Sequence, residues 1–161
     1  MVAMRADGLT FAQSDNGHCY YNHAMDTVRV HERDRFLSQE AYYHVVLHEI
    51  GHATGAQNRL NRDSITHRCR TWAAYWQEEI VAEFTNAILA VQIGMGFESP
   101  MGRLMMKQRR AWVSKHATAL KADEAELRCI ATKAMVAVDY VLARERELDP
   151  VIRNRALTEP Q

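Results

Sequence analysis

The sequence is short of the features that mark several large classes of protein. Its three cysteines, Cys19, Cys69 and Cys129, are widely separated and form no C-x-x-C pair. That argues against a disulfide scaffold and a zinc knuckle and fits a reducing compartment. No apolar run approaches the roughly 18 residues of a membrane-spanning helix, and no charged-then-apolar leader precedes a cleavage site, so a cytoplasmic location away from membranes is expected. Neither sign of charge is in excess. Lys+Arg and Asp+Glu stand at 20 each, so net charge selects no partner. Internal repeats and low-complexity tracts are also absent. What remains is 161 residues, 47% apolar and 25% charged, enough for one globular domain with a substantial core.

What the sequence does contain is His48-Glu49-Ile50-Gly51-His52, an H-E-x-x-H pattern inside the run Tyr42 to Gly55. On a helix, His48 and His52 lie one turn apart on one face, so both imidazoles can reach one cation. Glu49 sits beside them, where its carboxylate can take a proton from a water that the cation activates. Ser38 is a good N-cap for this helix, Glu40 suits its first turn, and Leu37 with Tyr42 is placed as a hydrophobic staple. Gly51 costs about 1 kcal/mol against alanine in a helix interior, which a close-packed neighbour would explain.

Before this helix, residues 1–17 are polar and glycine-punctuated. His18–Asn22 and Thr27–His31 then read as a hairpin, the second run alternating as a half-buried strand does. After the helix, residues 59–70 form a basic loop carrying Arg59, Arg62, Arg68 and Arg70. A second helix is predicted from Trp72 to Ile93, with Trp72, Trp76, Ile80, Phe84, Ala87, Ile88 and Val91 as its apolar stripe. Residues 94–100 break it. A third, basic helix over about 102–120 has no acid between Glu98 and Asp123. Asp123 and Glu126 open a fourth helix to about Glu147, with a core stripe of Leu127, Ile130, Ala134, Ala137, Val138 and Val141. The domain is thus expected to occupy 1–148, with a flexible tail at 149–161.

Two histidines do not complete a catalytic zinc site, which usually takes three protein ligands. The extended pattern H-E-x-x-H-x-x-G-x-x-H would place a third histidine where this chain has Asn58, a poor zinc donor and a good turn residue. The later run Gln77-Glu78-Glu79-Ile80-Val81-Ala82-Glu83 offers carboxylates instead. Glu79 and Glu83 share a helix face, so one can ligate zinc while the other accepts an imidazole N–H, with Glu79 the favoured ligand. Glu78 points about 100° around the helix from Glu79 and is the lesser candidate. His23, His31, His67 and His116 are expected to be ordinary histidines, and His44, one turn before His48, is placed to line the cleft without binding metal.

Taken together, Tyr42–Gly55, Asn58-Arg59-Leu60-Asn61-Arg62 and Glu78–Glu83 resemble the metallopeptidase-like domain of ArdC-type antirestriction proteins. That family shows a Y-Y-x3-L-H-E-[LI]-x-H-x-T-G run, an R-L-x-R step and an E-E-[LIV]-x-A-E segment. The similarity covers roughly residues 18–143. It implies a zincin-like fold, a zinc-type site and an origin on mobile DNA such as plasmids or phages. His48 and His52 would be ligands, Glu49 the catalytic base, and the third ligand would come from Glu78–Glu83. The 161 residues hold no counterpart of the single-stranded-DNA-binding domain that precedes this region in full-length members, and Ala53 stands where a tryptophan is often found.

The expectation is therefore a mostly helical α+β zincin with a small N-terminal hairpin sheet and about four helices. It binds Zn2+ through His48, His52 and Glu79, with Glu83 orienting an imidazole, and hydrolyses a protein or peptide substrate. Strand 27–31 is the edge considered for an extended substrate, and Tyr20, Tyr21, Tyr42 and Tyr43 are open candidates for oxyanion stabilisation. The alternative is an antirestriction, DNA-associated module with a structural or vestigial metal site. Its weak DNA contact would run through loop 59–70 and helix 102–120.

Overall fold

The computed structural model describes residues 1–66, 71–95, 100–121, 123–148 and 150. His67, Cys69, the arginines at 68 and 70, most of the 94–100 break and the tail apart from position 150 lie outside the described residues. The chain opens with two elements that the sequence reading leaves unassigned, helix α1 (Val2–Ala6) and strand β1 (Thr10–Gln13). Both are too short to carry a periodic signal. They form because Met4 and Leu9 are fully buried and because β1 finds a parallel partner.

That partner is β3 (Thr27–Val30), which also pairs antiparallel with β2 (Tyr20–Asn22), so the sheet order is β1-β3-β2. The expected hairpin is present, with Tyr21 opposite Val28. Strand 27–30 is not an edge, however. Both of its flanks are hydrogen-bonded, so the free edges belong to β1 and β2, and no substrate can add along β3.

Helix α2 (Gln39–Ala53) carries the H-E-x-x-H pattern. Ser38 caps it by accepting from the Ala41 N–H at 3.1 Å. The staple is not made as expected, because Leu37 is 90% exposed; Phe36 instead packs edge-on against Tyr42, ring centres 5.4 Å apart. Val46, Ile50 and Ala53 close over Met4, Leu9, Val28 and Val30, fixing the helix against the sheet.

A one-turn helix, α3 (Asp63–Thr66), leads to α4 (Trp72–Gln92), capped by Thr71. The basic helix α5 (Pro100–Leu120) and the last helix α6 (Glu124–Glu147) follow, and the Asp123 side chain accepts from the Glu126 N–H at 2.9 Å. Ile80 and Val81 of α4 pack on Ile130 and Ala134 of α6, and Leu47 of α2 joins Leu89, Ala90 and Val138. Two members of the expected α4 stripe, Trp72 and Val91, are exposed. The buried face of α4 is instead half polar, holding Glu78, Glu83, Thr85 and Asn86.

Arg59, read from sequence as part of a solvated basic loop, is a buried hub. Its guanidinium donates to both oxygens of Asp26 (2.7 and 2.8 Å), to Asp7 (2.9 Å) and to the Ala53 carbonyl (3.2 Å). Tyr140 of α6 donates to the same Asp7 at 2.8 Å. Burial alone would raise the Asp26 pKa, but Arg59 and the Tyr21 hydroxyl outweigh it and hold that carboxyl below its usual range.

Helices α2 and α4 approach each other closely at Gly51. A Cβ built there lies 3.0 Å from both the Cα and the carbonyl oxygen of Ala82. No side chain but hydrogen fits without moving α4, which accounts for a glycine in mid-helix. Gly51→Ala should therefore lower the thermal midpoint, overpacking of about 1–3 kcal/mol exceeding the ~1 kcal/mol gain in helix propensity. Thermal unfolding of the variant checks this, and a raised midpoint would mean that the contact has slack.

Candidate metal centre

The close approach at Gly51 sets the face of α2 carrying His48 and His52 against the acids of α4. The two Nε2 atoms lie 3.2 Å apart. Glu79 completes the triangle, its two oxygens 3.4 Å from His48 Nε2 and 3.6 Å from His52 Nε2. A tetrahedral zinc ion with bonds of about 2.1 Å has ligand atoms about 3.4 Å apart. Glu79 turns a different oxygen to each ring, Oε2 to His48 and Oε1 to His52, and with one donor atom taken from each residue the set lies within 4.8 Å, close enough to gather around such an ion. Among the described residues, His48, His52 and Glu79 are the group of histidines, cysteines and acids whose donor atoms converge in this way, all within 4.8 Å.

The other ring nitrogens are engaged from behind. His48 Nδ1 lies 3.1 Å from Glu83 Oε2, and His52 Nδ1 lies 3.3 Å from Glu78 Oε1. Ionised carboxylates only accept, so each Nδ1 carries the proton, which leaves each Nε2 as the atom that a bound metal would take as ligand. Burial by itself would lower the His48 pKa, but Glu79 and Glu83 reverse that and raise it well above the ordinary imidazole value. The cluster thus draws positive charge to itself.

Glu78, the lesser candidate from sequence, is not a surface acid. It is 4% exposed and takes Arg62 through two contacts, Nε at 3.0 Å and Nη2 at 2.6 Å, with Ser64 Oγ at 2.5 Å. Burial favours its neutral form, but His52 and Arg62 win and hold its pKa well below the carboxylate range. Arg62 also donates to Thr54 Oγ1 (2.7 Å) and the Gly51 carbonyl (2.8 Å), tying down the end of α2. Gly55 makes room for it, since a Cβ there would sit 2.9 Å from the guanidinium carbon.

Glu49 is buried, and among the described residues no side chain hydrogen-bonds its carboxylate. A cleft of about 390 Å³ opens beside the triangle, lined by His48, Glu79, Glu83, Gln108, Arg109 and Trp112. His44 does not line it: it is 3% exposed and set against Asn86, with Nδ1 3.1 Å from the Asn86 amide. Asn58 lines a different cavity, of about 410 Å³, with Tyr21, His23 and Asp26. Of the four tyrosines, Tyr21 is committed to Asp26 (2.8 Å) and Tyr43 accepts from Arg33 (2.8 Å). Tyr42 packs on Phe36, and none of the four is among the residues lining the metal-side cleft.

A family model described as "Zincin-like metallopeptidase" matches residues 2–133. The chain belongs to the zincin-like metallopeptidase family. A curated relative, DNA primase TraC of Escherichia coli, is 31% identical over 144 residues, 89% of this chain but 9% of the relative. The crystal structure of the antirestriction protein ArdC from the R388 plasmid, in its Mn(II)-bound form, superposes with a TM-score of 0.71 at 28% identity. It covers 92% of this chain and 52% of that one, and the metal-free form gives 0.69 at 27% identity. The chain therefore spans a small part of TraC and about half of ArdC. The expected divalent metal cofactor fits the zincin-like family and the His48/His52/Glu79 triangle, and the ArdC relative holds Mn(II) in its own structure.

Arg62 and Arg109 were missed by the sequence reading, and Glu78 was read as a lesser ligand candidate rather than as the group set against His52 Nδ1. A signal for Glu78 was present. Two imidazoles need two acceptors at Nδ1, and three acids on one helix supply one ligand and one acceptor each. Breaking a buried ion pair by removing one partner costs about 3–5 kcal/mol, so Arg62→Ala should lose stability on that scale in urea unfolding. Loss below 1 kcal/mol would mean that water replaces the guanidinium against Glu78.

Proposed function

We propose that this protein is a zinc-dependent peptidase acting on a protein or peptide substrate, with His48, His52 and Glu79 as ligands and Glu49 as general base. The observation that carries the reading is the triangle of Nε2, Nε2 and carboxylate separations of 3.2, 3.4 and 3.6 Å, backed at both Nδ1 atoms by other acids. When bound, zinc supplies Lewis acidity, which makes a water more acidic and a carbonyl more electrophilic.

The chain's own groups do the rest. Glu49, buried and uncommitted to any side-chain hydrogen bond among the described residues, takes a proton from the attacking water. It then returns that proton to the amide nitrogen as the carbon–nitrogen bond breaks. Burial excludes bulk water from this exchange, and Glu83 and Glu78 keep both imidazoles in the orientation that binding requires. Trp112 and Gln108 give the cleft a mixed apolar and amide wall against which a peptide can lie. The unit that does this is residues 1–148, working in the cytoplasm; no helix among the described residues is long and apolar enough to cross a membrane.

A second reading, a DNA-associated antirestriction module of mobile-element origin, draws on the names of the relatives and on α5, where Arg103, Lys107, Arg110 and Lys115 are exposed. Loop 59–70 lends it less, because Arg59 and Arg62 are turned inward. Salt-dependent binding to DNA, lost on neutralising Lys107 and Arg110, would favour it.

Zinc should co-purify near one ion per chain. In competition with a chelator, Glu79→Ala should abolish stoichiometric binding, whereas Glu83→Ala should weaken it by about 10–100-fold; a larger loss in Glu83→Ala reverses the assignment. Glu49→Gln should keep zinc and lose hydrolysis of unfolded protein substrates. Retained proteolysis in that variant removes Glu49 as the base.

A further inference from the structure

Each imidazole of the triangle is backed by a carboxylate, and each carboxylate by a guanidinium. On one side the order is His52, Glu78, Arg62; on the other it is His48, Glu83, Arg109. The two arginines differ in what else they hold. Arg62 also bonds Thr54 and the Gly51 carbonyl, so the fold needs it whether or not a metal is bound. Arg109 reaches in from α5, and its ion pair is with Glu83 Oε1. In the amide orientation that satisfies both neighbours, Asn86 accepts from Arg109 and donates to His44 Nδ1 at 3.1 Å. Arg109 is thus held at two points, one of which continues through Asn86 to α2.

Glu83 needs such a hold. Its side chain has several rotatable bonds and forms part of the cleft wall, where solvent competes for its oxygens. With Oε1 gripped by Arg109, Oε2 remains directed at His48 Nδ1. This rests on the reading that His48, His52 and Glu79 hold the metal. We propose that Arg109 is a positioning residue of the metal centre, acting through Glu83 to fix the ring plane of His48 and its Nδ1–H, so that Nε2 is held toward the metal position it would share with Glu79 and His52. The ion pair is in reach of the cleft, so the grip comes from a helix that also forms the wall against which substrate would lie.

The test is a zinc titration against a competing chelator on the full chain, for wild type, Arg109→Ala, Arg109→Gln, Glu83→Gln and the double variant Arg109→Ala/Glu83→Gln, with the thermal midpoint of each metal-free protein measured alongside. Arg109→Ala is expected to weaken zinc about 10–100-fold, the usual scale for losing a group that orients a ligand, with a drop in the metal-free midpoint smaller than that of Arg62→Ala, because this pair stands at the cleft where water can reach Glu83. In the Glu83→Gln background the same substitution is expected to add almost nothing, because the route through Glu83 is already cut. Arg109→Gln, which keeps a planar donor without charge, should fall between wild type and Arg109→Ala, and it stands in should Arg109→Ala fail to fold. Unchanged affinity in both Arg109 variants, with wild type binding one zinc, overturns the proposal. So does a loss that adds in full to that of Glu83→Gln, since Arg109 would then act by another route. Wild type binding no zinc at all would instead overturn the metal-site reading itself.

Discussion

Everything at the metal centre depends on how closely two helices approach. Both histidines ride on α2 and all three acids on α4, and no loop or third element supplies a member of the triangle. The separation is set by the backbone of Ala82 lying against a residue with no side chain, Gly51. One methyl group at that point would open the Nε2–carboxylate distances together. The sheet serves the same end from the other side. Met4, Leu9, Val28 and Val30 clamp α2 by its apolar face, which leaves the histidine face directed at α4. Apolar packing thus sets the spacing to which the polar centre is built.

That arrangement places an unusual load of charge in the interior. Glu78, Glu83 and Arg62 are buried, and the Arg59 side chain is 0% exposed. Desolvating a charge costs several kcal/mol unless it is paired and hydrogen-bonded, so such groups persist only in closed networks. Arg59 is shared by two aspartates and a helix-end carbonyl, and Arg62 by a carboxylate, a hydroxyl and a carbonyl. Both arginines lie just after α2, where the last carbonyls of the helix lack intrahelical partners. They therefore finish the helix and neutralise buried acids in one step.

Local patterns in the sequence carried much of this. H-E-x-x-H places two imidazoles on one face, and the structure has them there; Ser38 and Asp123 cap the helices they were expected to cap. The four long helices announced themselves by periodicity. The misses share a cause, which is that they depend on partners distant in sequence. Met4 and β1 make sense only once β3 lies beside them. Arg59 and Arg62 look like a solvated basic loop until Asp7, Asp26 and Glu78 are brought alongside. Trp72 keeps the helical period of a core residue yet is 77% exposed, because the period says which residues share a face and not how far the neighbouring helix extends. Strand 27–30 alternates as a half-buried strand would, and only β1, invisible to the pattern, takes from it the edge considered for a substrate.

Asp7 accepts from Tyr140, and helix α1 packs against α6, so the first and last helices among the described residues are tied together by groups 133 positions apart. Loosening either helix therefore loosens the other, because the Asp7–Tyr140 bond closes a loop of most of the described chain and the residues at both ends of that loop resist fraying together.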